Sequence, residues 1–215
     1  VPVGHPLRRR FPHRYGDPTL PDDDLPGTTE VLMEFHRVTL DLQRRVLRIL
    51  AVGLGVDEGF FDTMLRDGAA LTRALHYPSM DLAPGDEHVW AAEHGDINLI
   101  TALPRATASG LQVKTDDGWI AATPPDGHVI VNTGIMLDHL TNGLIPPGIH
   151  RVVSDAPGDR HSVVQFCHPT PWTMLAPLPS CVTPENPLRY STISASDRLE
   201  QVIWEINLVE AGRRL

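Results

Sequence analysis

The sequence has little of two features that would each define a class of protein. It contains only 2 cysteines in 215 residues, Cys167 and Cys181, which are too few for a disulfide framework. It also has no apolar stretch approaching the roughly 18 residues of a membrane-spanning helix, and no leader-like apolar segment. These absences predict an intracellular protein, cytoplasmic by default, that does not enter a membrane.

Positive charge is also scarce. Lysine and arginine number 18 against 27 aspartates and glutamates, which gives a formal net charge of −9. The most basic run is Arg8, Arg9 and Arg10. Nucleic-acid binding needs a basic surface, so this balance argues against it and favours a small-molecule partner.

Turn-forming residues are plentiful. The chain has 20 prolines and 17 glycines, as a β-rich protein with many turns requires. The length and the 41% hydrophobic content favour one sizeable core. We therefore predict a single domain with four regions: an irregular stretch over 1–27, supporting helices over 28–67, a β-core over 69–169, and a C-terminal extension with a helix over 170–215.

Apolar residues recur at helical spacing after residue 28, which predicts a long amphipathic helix that packs against a sheet. Its N-cap would be Thr28 or Thr29, and Gly53 or Gly55 would end it. The apolar positions are Val31, Leu32, Phe35, Val38, Leu42, Val46, Ile49 and Leu50. A short helix is expected over Asp57–Arg66, and a closing helix over Ser196–Arg213.

After Gly68 the pattern changes to short apolar runs separated by turn residues, which predicts about eight strands and a jelly-roll or barrel. Asp117-Gly118 between two runs is typical of a hairpin turn. The predicted strands are Leu71–Tyr77, His88–His94, Asn98–Leu103, Leu111–Lys114, Trp119–Ala122, His128–Asn132, Ile149–Ser154 and Ser162–His168.

Three residues in this region form a set with metal-binding chemistry. In an extended strand, residues two apart project from the same face, so His94 and Asp96 can reach one ion. His150 would complete the set. Two histidines and one carboxylate leave three positions of an octahedral ion open, as non-haem Fe(II) oxygenases require for co-substrate and dioxygen.

Arg160 and Ser162 repeat the two-residue spacing downstream. A guanidinium fork and a hydroxyl would bind the far carboxylate of a 2-oxoacid that also reaches the iron. The other candidate residues are less distinctive. Asn132, Thr101 and Leu103 are expected to face substrate on neighbouring strands, whereas five further histidines are expected to be structural or exposed: His88, His128, His139, His161 and His168.

An ordered series of motifs resembles the isopenicillin N synthase-like family of Fe(II)/2-oxoglutarate-dependent oxygenases. The resemblance extends from about Thr28 to the C-terminus. It rests on His94-Gly95-Asp96, Gly110-Leu111-Gln112-Val113, Asp117-Gly118-Trp119, Val131-Asn132-Thr133-Gly134, Thr141-Asn142-Gly143, His150-Arg151-Val152-Val153 and Arg160-His161-Ser162, with Phe166 and Pro169 beyond.

This resemblance implies a double-stranded β-helix core, which is a cupin-like jelly-roll, with flanking helices. It implies Fe(II) bound by His94, Asp96 and His150, with 2-oxoglutarate and O2 as co-substrates. Tyr77, in the segment His76-Tyr77-Pro78, would contribute to 2-oxoglutarate binding. The implied reaction is hydroxylation, desaturation or cyclisation of a small metabolite, with release of succinate and CO2.

Two alternatives stay open at the level of sequence. The first is an iron oxidase of the same fold that uses no oxoacid, since some members keep the Arg-x-Ser pair for other purposes. Leu75 favours it, because many relatives carry asparagine two residues before the tyrosine. The second is a non-catalytic metal-binding module, which the intact set of metal-binding residues disfavours.

Overall fold

The computed structural model describes residues 4–16, 20, 22–80, 89–154 and 157–206. Its helices are α1 (Pro6–Arg10), α2 (Thr28–Gly53), α3 (Phe60–Leu65), α4 (Ile135–Leu140) and α5 (Ala195–Glu205). Its strands are β1 (Leu71–Tyr77), β2 (Ala91–His94), β3 (Ile100–Pro104), β4 (Leu111–Thr115), β5 (Gly118–Ala121), β6 (Val129–Thr133), β7 (His150–Val152), β8 (Arg160–Cys167), β9 (Met174–Leu175) and β10 (Ile193–Ser194).

Eight of these strands form two antiparallel four-stranded sheets. The major sheet has the order β1-β8-β3-β6, and the minor sheet has the order β2-β7-β4-β5. The strands β9 and β10 pair separately. This arrangement confirms the predicted mainly-β, double-stranded β-helix fold with flanking helices.

All eight predicted strands are present, with ends shifted by a few residues. Turn residues mark these boundaries to within one position: the hairpin turn lies at Asp116 and Asp117 rather than at Asp117-Gly118, and β5 begins at Gly118, which has a positive φ. The two-residue strands β9 and β10 were not predicted, because two residues are too few to show an alternating pattern. His88, placed in a strand by the sequence, lies outside the described residues.

The buried face of α2 agrees only in part with the predicted one, since Val46 and Leu50 of the predicted stripe pack against the core. Its buried residues are Thr39, Gln43, Leu47 and Ala51, at intervals of four. Four residues of the predicted apolar stripe are exposed instead: Val31 (68%), Val38 (51%), Leu42 (37%) and Ile49 (73%). Leu47 and Ala51 of this row belong to the apolar core, and Gln43 joins them because its amide donates to the carbonyl oxygens of Ile100 (3.2 Å) and Gln165 (2.9 Å), a pairing that apolar periodicity does not reveal.

The two ends of the described chain also correct the sequence predictions. The region expected to be irregular contains the short helix α1, and Gly27 rather than a threonine precedes α2 as N-cap. The closing helix begins at Ala195, where the Ser194 hydroxyl accepts from the Asp197 amide, and α5 ends at Glu205. The rest of its predicted span lies outside the described residues.

The hydrophobic core lies between the helices and the major sheet. Leu47, Phe61, Ile100, Met136 and Leu137 are each 0–1% exposed within it. Strand β8 alternates between two environments, since Cys167 joins this core whereas Arg160 and Ser162 face the interior between the sheets. Apolar packing therefore occupies one side of the major sheet and leaves the other side for polar side chains. No helix in the described part of the chain is both long and apolar enough to cross a membrane.

Candidate metal centre and co-substrate pocket

The first metal-ligand pair lies where β2 ends. His94 is the last residue of β2, and Asp96 follows on the connecting loop. The sequence prediction, in contrast, placed both residues on one strand. The backbone at Asp96 is fixed by the first turn of α4, because its carbonyl accepts from the Ile135 amide at 2.8 Å. The loop thus places the carboxylate beside the histidine without continuing the strand.

The third predicted ligand stands directly opposite. His150 on β7 pairs with His94 across the minor sheet, and the two ring centroids are 4.3 Å apart. His150 Nε2 lies 4.0 Å from Asp96 Oδ1. One ligand-type atom from each of His94, Asp96 and His150 lies within 4.8 Å of the others, so the structure brings the whole predicted set together.

Hydrogen bonds to nearby carbonyl groups orient both imidazoles. His94 Nδ1 lies 2.7 Å from the Ala92 oxygen, and His150 Nδ1 lies 3.0 Å from the Gly148 oxygen. A carbonyl can only accept, so each Nδ1 carries a hydrogen, and in the neutral tautomer with this arrangement Nε2 is the nitrogen with the lone pair. This tautomer is the one that a metal-binding histidine requires.

Asn132 orients the carboxylate. Its amide nitrogen donates to Asp96 Oδ2 at 3.2 Å and to the Gly148 oxygen at 3.0 Å. These bonds use both amide hydrogens, so the 3.3 Å approach of this nitrogen to His150 Nδ1 is a contact and not a third bond. The sequence suggested a substrate-facing Asn132 and missed this role, because the bond to Asp96 joins a strand of the major sheet to a loop 36 positions away.

A cavity of about 320 Å³ lies between the two sheets, and none of the three candidate iron ligands lines it. Arg160 and Ser162 line it, as does Leu103. Its distance from Asn132 follows from the pairing of β3 with β6. Asn132 pairs with Thr101, and Ile130, two residues before Asn132, pairs with Leu103. Ile130 and Leu103 line the cavity, so the cavity wall begins at the next side chain on the same face of the sheet. Strand geometry makes that step roughly 6.6 Å.

Arg160 is buried and held from two sides. It is 5% exposed, and its Nε donates to the carbonyl oxygens of Ala108 (3.2 Å) and Ser109 (3.0 Å). The Tyr77 ring lies 5.0 Å from the guanidinium carbon, because Tyr77 is the cross-strand partner of Arg160. Ser162, 7% exposed, is two residues along the same strand. The pair is therefore arranged as predicted, with a cation and a hydroxyl on one cavity wall.

The remaining predicted residues divide by environment. Thr101 is 1% exposed, and its hydroxyl bonds to the Asn98 side chain within the interior. His139 is also buried, with Nε2 2.9 Å from the Ser191 oxygen. Burial lowers the pKa of His168 to about 4, so this ring is neutral near pH 7. His128 is exposed, and His161 is exposed in a cluster that the sequence did not single out.

The donor set fits a non-haem iron ion. Two imidazole Nε2 atoms and one carboxylate oxygen supply three positions, and Asp96 and His150 are buried whereas His94 reaches the surface. The opening at His94 leaves room for further ligands on one side of the centre. Hard and borderline donors of this kind suit iron(II).

Known proteins are similar to this chain in sequence and in fold. The model of the 2OG-Fe(II) oxygenase superfamily matches residues 69–169, the region predicted as the β-core. A solved 2OG-Fe(II) oxygenase family protein from Caulobacter crescentus is 34% identical with a TM-score of 0.84, over 95% of this chain and 67% of the other.

Two curated relatives extend the comparison. The 2'-deoxymugineic-acid 2'-dioxygenase of Hordeum vulgare is 32% identical over 80% of this chain and 50% of its own length. An isopenicillin N synthase of Amycolatopsis lactamdurans is 29% identical over 90% of this chain and 61% of its own length. The chain thus spans about half to three fifths of these relatives. It belongs to the 2OG-Fe(II) oxygenase superfamily, whose cofactors are iron and 2-oxoglutarate.

Proposed function

We propose that this chain is the catalytic core of an Fe(II)- and 2-oxoglutarate-dependent oxygenase that oxidises a small molecule. The observation that carries the proposal is the meeting of His94, Asp96 and His150, whose ligand-type atoms lie within 4.8 Å of one another. Family membership supports the same reaction class. Iron with 2-oxoglutarate supplies dioxygen activation, which yields succinate, CO2 and an oxidised substrate.

The residues of this chain have separate tasks in that reaction. His94, Asp96 and His150 would hold the iron, and Asn132 would keep the Asp96 carboxylate aligned. Arg160 and Ser162 would bind the far carboxylate of 2-oxoglutarate, with Tyr77 supporting the guanidinium. Binding the acid at both ends fixes its orientation and displaces water from the cavity.

For the substrate, the proposal retains Leu103 and Asn132 as candidate contacts. Leu103 lines the cavity beside Arg160, whereas both Asn132 amide hydrogens are already used. Thr101 offers no free donor, because its hydroxyl donates to Asn98. A substrate contact at Leu103 would be apolar and would lie beside the oxoacid, because Leu103 lines the same cavity as Arg160 and Ser162.

Replacement of Asp96 tests the proposal directly. Asp96→Ala removes the only carboxylate of the set, so iron binding and iron-dependent succinate formation should both fall to background. Titration of the anaerobic protein with Fe(II) and 2-oxoglutarate should give a metal-to-ligand charge-transfer band in the wild type and none in the variant. Unchanged turnover in Asp96→Ala would refute the assigned centre.

A second candidate function is an iron oxidase of the same fold that uses no oxoacid. The specific observation is that Leu75 pairs with Ser162 across β1 and β8, so an apolar side chain faces the hydroxyl assigned to the oxoacid. Substrate-dependent oxygen consumption without 2-oxoglutarate would favour this function. A requirement for 2-oxoglutarate with stoichiometric succinate would exclude it.

A further inference from the structure

A second group of metal-ligand side chains lies on the opposite face of the major sheet. His76, Asp159 and His161 each place one ligand-type atom within 4.8 Å of the other two, and all three are exposed. We name these residues the outer cluster. None of them belongs to the iron centre or lines the cavity described above.

Strand pairing brings the outer cluster together. His76 on β1 is the direct cross-strand partner of His161 on β8. Their rings stack with centroids 4.7 Å apart and an interplanar angle of 4°. Asp159, immediately before β8, places Oδ2 2.7 Å from His76 Nε2. The two histidines are thus aligned by the sheet itself and not by chance contact of mobile side chains.

The carboxylate is also held in place. Asp159 Oδ1 accepts from the Ser79 amide at 2.9 Å, which leaves Oδ2 directed at the histidines. An ordinary surface ion pair would consist of His76 and Asp159 only, whereas here His161 stacks on His76 as a third ligand-type side chain. The stacked rings instead bring both imidazoles to the same side of the sheet, next to one carboxylate, as a shared ion requires.

We propose that the outer cluster is a second divalent-metal site, selective for a borderline ion of the zinc class. Two imidazoles and one carboxylate supply three ligands, and solvent can supply a fourth to complete a tetrahedron. Such donors favour Zn²⁺ or Cu²⁺ over Mg²⁺ or Ca²⁺, which prefer all-oxygen sites. The exposure of the cluster gives the ion direct access from solvent.

The position of the outer cluster gives the ion a structural role. Side chains alternate along β1 and β8, so the neighbours of His76 and His161 point the other way: Tyr77 and Arg160 face the cavity side. An ion at the outer cluster would link the ends of the two strands that carry Arg160 and Tyr77. The structural role of the ion rests on the proposed function, because it assumes that Arg160 binds the oxoacid. Metal binding at the outer cluster does not depend on the proposed function.

Counting bound Zn²⁺ tests the site. By equilibrium dialysis, the wild type should bind two Zn²⁺ ions, one in the iron centre and one in the outer cluster. His161→Gln and Asp159→Asn should each bind one ion, because the outer cluster is lost. His94→Gln should also bind one ion, because the iron centre is lost. His128→Gln, an exposed histidine outside both clusters, is the matched control and should still bind two.

The variants separate the two assignments. Retention of two ions by both His161→Gln and Asp159→Asn, or a wild type that binds only one, would overturn the outer site. Retention of two ions by His94→Gln would instead count against the iron centre.

A thermal shift gives a second test of the outer cluster. Zn²⁺ should raise the Tm of His94→Gln, where only the outer cluster remains. Adding His161→Gln to this variant should abolish the rise in Tm, and a rise that persists would likewise overturn the site.

Discussion

At the scale of single residues, the candidate iron ligands depend on neighbours outside the ligand set. The Gly148 carbonyl accepts from both His150 and Asn132, and Asn132 in turn donates to Asp96. One backbone oxygen therefore orients a histidine directly and a carboxylate through an amide. Loss of a group of this kind typically lowers metal affinity by about ten- to hundred-fold.

Gly148→Ala should weaken iron binding although it changes no ligand. An added Cβ at Gly148 would lie 1.8 Å from Asn132 Oδ1, so the Asn132 side chain must rotate away and lose its bond to Asp96. We expect the iron affinity to fall about ten- to hundred-fold, measured by competition with an Fe(II) chelator. Gly53→Ala, where an added Cβ meets no atom within 4 Å, should keep the wild-type affinity. An unchanged affinity in Gly148→Ala would show that Asn132 does not orient the carboxylate.

Arg160→Lys should mainly weaken binding of the oxoacid. A lysine keeps the charge but loses the planar fork and the bonds from Nε to the Ala108 and Ser109 carbonyls. The KM for 2-oxoglutarate should rise roughly ten- to hundred-fold, with a smaller change in kcat, because truncating a buried charged contact costs a few kcal/mol. Steady-state succinate assays measure both constants. The control is Arg45→Lys, at an exposed position of α2 that pairs with Asp41. Equal KM values for 2-oxoglutarate in the two variants would show that Arg160 does not bind the oxoacid.

At the scale of secondary-structure elements, the local sequence pattern predicts strand boundaries and faces but not the contacts between distant elements. Alternation within one strand correctly placed Arg160 and Ser162 on one wall, and turn residues correctly bounded the strands. The bond from Asn132 to Asp96 spans 36 positions, and that from Gln43 to Gln165 spans 122. Such pairings depend on how sheets and helices meet, so the buried face of α2 and the role of Asn132 could not be predicted from local periodicity.

Gln43→Leu tests the polar contact between α2 and the major sheet. The variant fills the same buried position, which is 0% exposed, but leaves the Ile100 and Gln165 carbonyls without the amide. The free energy of unfolding should fall by about 1–3 kcal/mol, measured by urea denaturation. Gln201→Leu, at an exposed position of α5, should change it by less than about 0.5 kcal/mol. A loss in Gln43→Leu no larger than in this control would show that the buried amide adds nothing to helix docking.

At the scale of the whole molecule, buried histidines couple stability to pH. Burial lowers the pKa of His168 to about 4, whereas the unfolded chain protonates this ring near 6.5. Burial also lowers the pKa of His139. The folded state therefore binds fewer protons than the unfolded state between these values, and stability is lost as the pH falls from 6.5 towards 4.

His168→Gln should flatten this acid-side loss. For the wild type, the difference between 6.5 and 4 corresponds to at most about 3 kcal/mol. Urea unfolding of both proteins at intervals from pH 7 to pH 4.5 would measure it. The variant should lose less stability than the wild type over that interval, whatever its stability at pH 7. Parallel curves for the two proteins would exclude His168 as the source.

The two functional sets of the interior stand on different sheets. Two candidate iron ligands lie on β2 and β7 of the minor sheet, whereas Arg160, Ser162 and Tyr77 lie on β8 and β1 of the major sheet. Evolution can therefore alter one set without rebuilding the other. If the proposed roles hold, substitutions on the major sheet can exchange the acid bound at Arg160 while the metal ligands of the minor sheet stay intact, so relatives can diverge in co-substrate before they diverge in metal.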